Sequence, residues 1–314
     1  MNQKWWLTLV AVVLVVFAVL VSGCGQSAAP VETPADEEEE TEEVQEAAMI
    51  MIAGSDSEVN LVTRLAEEYM NANPDVAIAV TGGGSGVGIS SLIDGDIDIA
   101  NSSRPMKETE EADLKAKQGQ DPYAVRFAVD GVAVVLNENN PVVAMTVDQI
   151  GAIYRGEITN WSEVGGENLD IVLYGRQSTS GTYVFFMEKV VQADYSPEMR
   201  NLAGTSDIVE AVTNDPGGIG YAAIGYATKD GIKAALVAAD DASEAYDPTI
   251  LENVTSGDYP LTRPLYQYMI GKPSGAVLDF LLYEVGEVGQ EIVLEEGFYP
   301  LTGADQDFNK KALE

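Results

Sequence analysis

From Met49 onward the chain alternates short apolar runs with segments of helical period. Met49–Ala53 reads as a strand. Glu58–Asn71 reads as a helix, because Leu61, Leu65 and Tyr69 recur at four-residue spacing, and Asn73-Pro74 ends it. Val76–Val80 predicts a strand, Gly86–Leu92 a short helix, Ile97–Ala100 a strand and Glu108–Lys117 a charged helix. Val125–Leu136 is a long β-rich stretch interrupted by Asp130-Gly131. Thr146 is placed to cap a helix ending near Tyr154. Ile171–Tyr174 and Ile219–Ala222 predict strands, with helices at Tyr183–Val191 and from Ser206 to near Asn214. The last helices are Gly275–Val285 and Val288–Glu295. This alternation predicts an α/β class, with parallel sheets covered by helices. No repeat of fixed period is visible, which argues against a solenoid.

The segment before Met49 has a different character. Lys4 precedes an apolar run, Trp5–Val21, that has the length of a signal-peptide core. The run ends in Val21-Ser22-Gly23-Cys24, which resembles a bacterial lipobox. Residues 1–23 are therefore expected to be a lipoprotein signal peptide and Cys24 the lipidated residue, anchoring the chain at the extracytoplasmic face of the cell membrane. Residues 24–47 carry Asp36-Glu37-Glu38-Glu39-Glu40 among Ala and Pro and read as an acidic, extended tether.

Charge narrows the function. The net charge is -34, from 51 acidic and 17 basic residues, so nothing supplies the basic stripe that nucleic acid requires. There is no histidine, which removes Ser-His and Cys-His nucleophile pairs and His-based zinc sites. Cys24 is the sole cysteine, so no internal disulfide forms. Asp94, Asp96 and Asp98 are close enough in sequence to suggest a metal site, but a solvated turn and strand edge is the plainer reading, so no metal and no cofactor are expected.

Four predicted strand-to-helix loops share one chemistry. They are Gly54-Ser55-Asp56-Ser57, Gly82-Gly83-Gly84-Ser85-Gly86, Asn101-Ser102-Ser103-Arg104-Pro105 and Arg176-Gln177-Ser178-Thr179-Ser180-Gly181-Thr182. In open α/β sheets ligands sit at this end of the strands. Hydroxyls donate without adding charge, and helix N-termini offer unpaired amides. One arginine adds a planar fork for two oxygens. The set reads as a cage for a small tetrahedral anion. Singly, each loop has a plainer reading: a flexible turn for Gly82–Gly86, helix capping for Ser102-Ser103 or Asp56, a surface ion pair for Arg104 or Arg176.

These loops, with Asp98-Ile99-Ala100, Gly156-Glu157-Ile158-Thr159-Asn160-Trp161, Gly217-Gly218-Ile219-Gly220-Tyr221 and Arg263-Pro264-Leu265-Tyr266, resemble the substrate-binding component of bacterial phosphate ABC transporters. The resemblance runs from about Ile52 to Tyr299. It implies a two-lobed periplasmic-binding-protein-like fold, each lobe a mostly parallel sheet flanked by helices, joined by two hinge crossings. Extended stretches near Val125–Val134 and Tyr259–Tyr268 are the expected hinges. Residues 48–128 and 264–314 then form one lobe, and residues 129–263 the other. The implied phosphate ligands are Ser55, Asp56 and Ser57; Ser85 and Gly86; Ser103 and Arg104; and Arg176, Ser180, Gly181 and Thr182. Some relatives carry a carboxylate in the third loop, where this chain has Ser103 beside Arg104; Asp56 is expected to accept the phosphate proton instead. The implied function is capture of inorganic phosphate and delivery to ABC permease subunits, with no bond made or broken. Alternatives are a receptor for sulfate or molybdate, a surface adhesin or sensor, and a phosphoesterase-like enzyme using Asp94, Asp96 and Asp98 on one strand face.

Overall fold

The computed structural model describes residues 48–314, so the signal-like segment, Cys24 and the acidic tether lie outside the described residues. The first elements in chain order are β1 (Ala48–Gly54), α1 (Val59–Ala72), β2 (Val76–Thr81), α2 (Ser85–Asp94), β3 (Ile99–Ser102) and α3 (Glu108–Gln118). Next come β4 (Pro122–Asn137), β5 (Ala144–Thr146), α4 (Val147–Arg155), β6 (Val172–Arg176), α5 (Gly181–Phe186), β7 (Arg200–Leu202), α6 (Thr205–Thr213) and β8 (Gly218–Ala223). The rest are β9 (Ile232–Ala234), β10 (Leu236–Ala238), β11 (Ala245–Tyr246), α7 (Leu251–Thr255), β12 (Thr262–Ile270), α8 (Gly275–Val285), α9 (Glu287–Glu295) and α10 (Gly303–Leu313).

The main sheet runs in the order β2-β1-β3-β12-β4-β8-β6-β7, with β9 against β4. Strands β2, β1 and β3 are mutually parallel and make one wing. Strands β8, β6 and β7 are also parallel and make the other. Between them lie β4 and β12, which run antiparallel to each other and to the wings. The sheet is therefore mixed, because the crossings expected to be bare hinges form ladders themselves. Strand β4 pairs with β12 up to Gly131 and with β8 from Val132. Asp130-Gly131, expected to interrupt the strand, instead marks this change of partner within sixteen continuous residues.

Local sequence accounts for the framing helices. In α1, Leu61, Val62, Leu65, Ala66 and Tyr69 face the core. Helix α4 opens on a reciprocal cap: the Gln149 amide donates to Thr146 Oγ1 at 3.2 Å, and the Thr146 amide donates to Gln149 Oε1 at 2.9 Å. Val132–Leu136 is apolar throughout and buried, as a strand covered on both faces requires. In the second wing, Tyr154, Phe186 and Tyr221 pack together, with Phe186 stacked on Tyr221 at 4.2 Å between centroids.

Asp94, Asp96 and Asp98 do not share a strand face, because β3 starts later than expected, at Ile99. Asp94 ends α2 and pairs with Lys117 at 2.5 Å, while Asp98 accepts the Met51 amide at 2.8 Å. Among the described residues no group of three or more His, Cys, Asp or Glu side chains is placed to hold a metal, and no helix is long and apolar enough to cross a membrane.

Candidate functional site

Backbone bonds set the first three loops against each other. The Ser55 amide donates to Asn101 O at 3.0 Å, and the Gly84 amide donates to Gly54 O at 2.8 Å. The fourth loop leaves β6 in the other wing. There the Arg176 amide donates to the Tyr221 hydroxyl at 3.0 Å, so the aromatic core fixes where this arginine begins.

Loops from both wings meet. Ser57 Oγ lies 2.6 Å from Thr182 Oγ1. Ser103 is the centre of a second cluster: its Oγ accepts from Ser55 Oγ at 3.1 Å, lies 3.3 Å from Ser85 Oγ, and its amide donates to Ser85 Oγ at 3.1 Å. Gly181 presses on this cluster from the opposite wing. A Cβ there would stand 2.3 Å from Ser85 Oγ and 2.6 Å from Ser103 Oγ, so only glycine fits. Gly84, with φ at 100°, lies against Thr179 O, and the Gly86 amide donates to the same carbonyl at 2.9 Å. All of these serines, and Thr182, are buried.

Two buried guanidiniums border the hydroxyls. Arg176 is 2% exposed. Its Nη1 donates to Thr205 Oγ1 at 2.7 Å, and its Nη2 to Asp56 Oδ2 at 2.5 Å and Ala203 O at 2.8 Å. Its Nε is buried with no acceptor among the described residues. The Asp56 link crosses between the wings. The other Asp56 oxygen accepts the Gly83 amide at 3.0 Å, so both oxygens already serve protein donors.

Arg263 is the second cation, 3% exposed. It sits opposite Asp130 in the β4–β12 ladder, and its Nε and Nη2 donate to Asp130 Oδ2 at 2.9 and 2.7 Å. Nη1 donates to Ser103 O at 2.9 Å; Nη2 also reaches Thr182 Oγ1 at 3.0 Å and Ser57 Oγ at 3.5 Å. One side chain on a crossing strand thus touches loops from both wings. Asp130 is fully buried, and its Oδ1 accepts the Ile224 amide at 3.0 Å.

Other expected ligands lie differently. Arg104 is turned to Glu110, with both terminal nitrogens on its carboxylate at 2.8 and 2.7 Å, and Nη1 also on Pro105 O. Ser180 caps α5 by accepting the Tyr183 amide at 3.4 Å. Arg263, Asp130 and Glu58 were not among the expected site residues. The signals were present: Arg263 opens a motif that carries the resemblance, and Asp130 is the one acidic residue inside the β-rich run Val125–Leu136.

Two parallel wings joined by two long crossing strands, with hydroxyls and paired arginines where the wings meet, make a two-lobed solute-binding protein. The chain belongs to the PBP superfamily, whose domain profile matches residues 29–287, and within it to the phosphate-binding PstS proteins. It is 33% identical over 266 residues to the phosphate-binding protein PstS of Pseudomonas aeruginosa, covering 79% of this chain and 81% of that one. The PstS of Bacillus subtilis is 29% identical over 287 residues, 91% of each chain. Among solved structures, a Clostridium perfringens protein described as a phosphate ABC transporter substrate-binding protein, with bound phosphate, aligns with TM-score 0.72 and 30% identity. The alignment covers 81% of this chain and all of that one. An ABC-type phosphate transport receptor from Vibrio cholerae aligns with TM-score 0.65 and 29% identity, covering 80% of this chain and all of that one.

Proposed function

We propose that this protein captures inorganic phosphate between its two wings and delivers it to an ABC importer, binding without turnover. The observation that carries the reading is the convergence of Ser57, Ser85, Ser103 and Thr182 from four separate loops beside Arg176 and Arg263. Phosphate takes neutral hydroxyl and amide donors, the Arg176 Nε and the Arg263 Nη2 donor that reaches Thr182 Oγ1 and Ser57 Oγ. Each arginine already faces a carboxylate, so the protein groups are close to neutral and the field favouring the anion is local. We take residues 48–128 with 264–314 as one lobe and 129–263 as the other, as the change of partner along β4 supports. The same reading extends to permease subunits as docking partners and to a lipid anchor on Cys24 that holds the protein at the outer face of the membrane. Calorimetric titration tests it: one phosphate per chain, with sulfate and molybdate much weaker and no phosphoester turnover, is the expected result. Preference for another oxyanion, or stoichiometric indifference to phosphate, contradicts it.

Two substitutions probe closure. Gly181→Ala is expected to weaken phosphate binding by more than about tenfold, because the new methyl meets Ser85 and Ser103 only when the wings come together. Thermal stability without ligand should hardly change, since Ala is the better helix former. Wild-type affinity in this variant argues against the closed geometry.

Asp56→Asn separates latch from proton reader. Each Asp56 oxygen already accepts one protein donor, which favours a latch between the wings, while its remaining lone pairs leave the expected proton-accepting role to be tested. The variant should lose about 1.5–3 kcal/mol of binding, for phosphate and sulfate alike. Intact phosphate affinity with lost discrimination against sulfate returns the proton-accepting role to Asp56.

A further inference from the structure

Glu58 stands where β1 hands over to α1, immediately after Ser57, and is fully buried. Among the described residues neither of its carboxyl oxygens makes a well-formed hydrogen bond, since the Ser55 hydroxyl beside it donates to Ser103 Oγ at 3.1 Å instead. An ionised carboxyl in that position is costly, because nothing replaces its water. The groups around it come from several elements: Ser55 and Asp56 from its own loop, Asp130 from β4, Arg263 from β12, and Tyr226 from the turn after β8. Both nearby arginines already have carboxylate partners, Arg176 with Asp56 and Arg263 with Asp130. Counting charges, the two pairs cancel. A neutral Glu58 leaves the site neutral; an ionised one gives it a net negative charge before any anion arrives.

Building on the phosphate reading, we propose that Glu58 is a proton-linked gate on anion affinity: as a neutral acid it admits the phosphate dianion beside the hydroxyl cluster, and as a carboxylate it repels it. Burial pushes its pKa up to about 8, with Asp130 and Asp56 adding to the rise and Ser55 and Arg263 drawing it partly back. The sign follows directly. A bound anion favours the neutral acid, so its pKa is higher in the complex than in the free protein. Affinity is then fully present below about pH 8 and lost as pH rises through that value, by up to about tenfold per pH unit.

The test titrates inorganic phosphate into the full chain and into Glu58→Gln by calorimetry, from about pH 7 to about pH 9, in buffers of different ionisation enthalpy. Phosphate's own ionisation is the same in both titrations and cancels in the ratio of dissociation constants. The expected result is that the wild-type constant rises relative to that of the variant above about pH 8. Near pH 9 the wild type should take up close to about one proton on binding, beyond any taken up by the variant. Parallel pH profiles, or equal uptake in the two proteins, overturn the gate while leaving the phosphate reading intact. Absence of phosphate binding at every pH overturns both. The wild-type uptake stands alone if the variant does not fold: uptake near zero at about pH 9 rules the gate out.

Discussion

Arg176→Ala is expected to weaken phosphate binding by about 2–5 kcal/mol, roughly 30-fold to several thousand-fold. The arginine is almost wholly buried, so its charge cannot be replaced by water. Its terminal nitrogens are held by Thr205, Ala203 and Asp56, which fix the plane of the guanidinium. Among the described residues its Nε is the one guanidinium nitrogen without a protein acceptor, and the phosphate reading assigns this donor to the anion. Truncation removes that donor and also the ion pair at 2.5 Å by which the Asp56 carboxylate is tied to the other wing, leaving the Tyr226 hydroxyl on the Asp56 carbonyl at 3.2 Å. Arg176→Lys returns the charge without the fork and should rescue little. Calorimetry measures both variants; a loss below about 1 kcal/mol for alanine places the anion's main contact elsewhere.

Arg263→Ala is expected to act on folding as well as binding. It leaves Asp130 as a buried carboxylate with a single amide for company, which costs about 3–5 kcal/mol of stability. It also withdraws the donor that spans Ser57, Thr182 and the Ser103 carbonyl. The two effects separate in a double variant. Arg263→Met with Asp130→Asn removes both charges and keeps an acceptor for the Ile224 amide, so denaturant midpoints should recover toward wild type. Phosphate affinity should stay low, because the cation between the wings is still missing. Recovery of both stability and affinity in the double variant makes Arg263 a folding residue alone.

The site's loops were legible because their chemistry is local. Gly82–Ser85 and Ser180-Gly181-Thr182 show their donors in consecutive residues, and the flanking apolar runs say which way each loop faces. Strand and helix positions followed for the same reason: periodicity is a short-range signal. Long-range pairing is not. Val125–Leu136 and Tyr259–Tyr268 read as extended crossings, but nothing in either says that they ladder together and set Arg263 opposite Asp130. Short elements such as β5, β10 and β11, which pair in a separate small sheet, carry too few residues for a period to appear. Glu58 was hidden for a further reason. A glutamate at a helix start ordinarily complements the helix dipole at the surface, and only the fold around it reveals that it is buried. Arg104 shows the reverse: its neighbours in sequence suggest an anion ligand, while Glu110, in the first turn of α3, takes its fork.

Whether phosphate is held between the wings is decided by a crystal structure of the full chain grown with inorganic phosphate. One tetrahedral anion is expected between the wings, within hydrogen-bond distance of Ser57, Ser85, Thr182 and the Arg176 Nε, with Arg263 beside it. Phosphate bound on an outer surface, or wings closed on each other with the anion excluded from these residues, would contradict it.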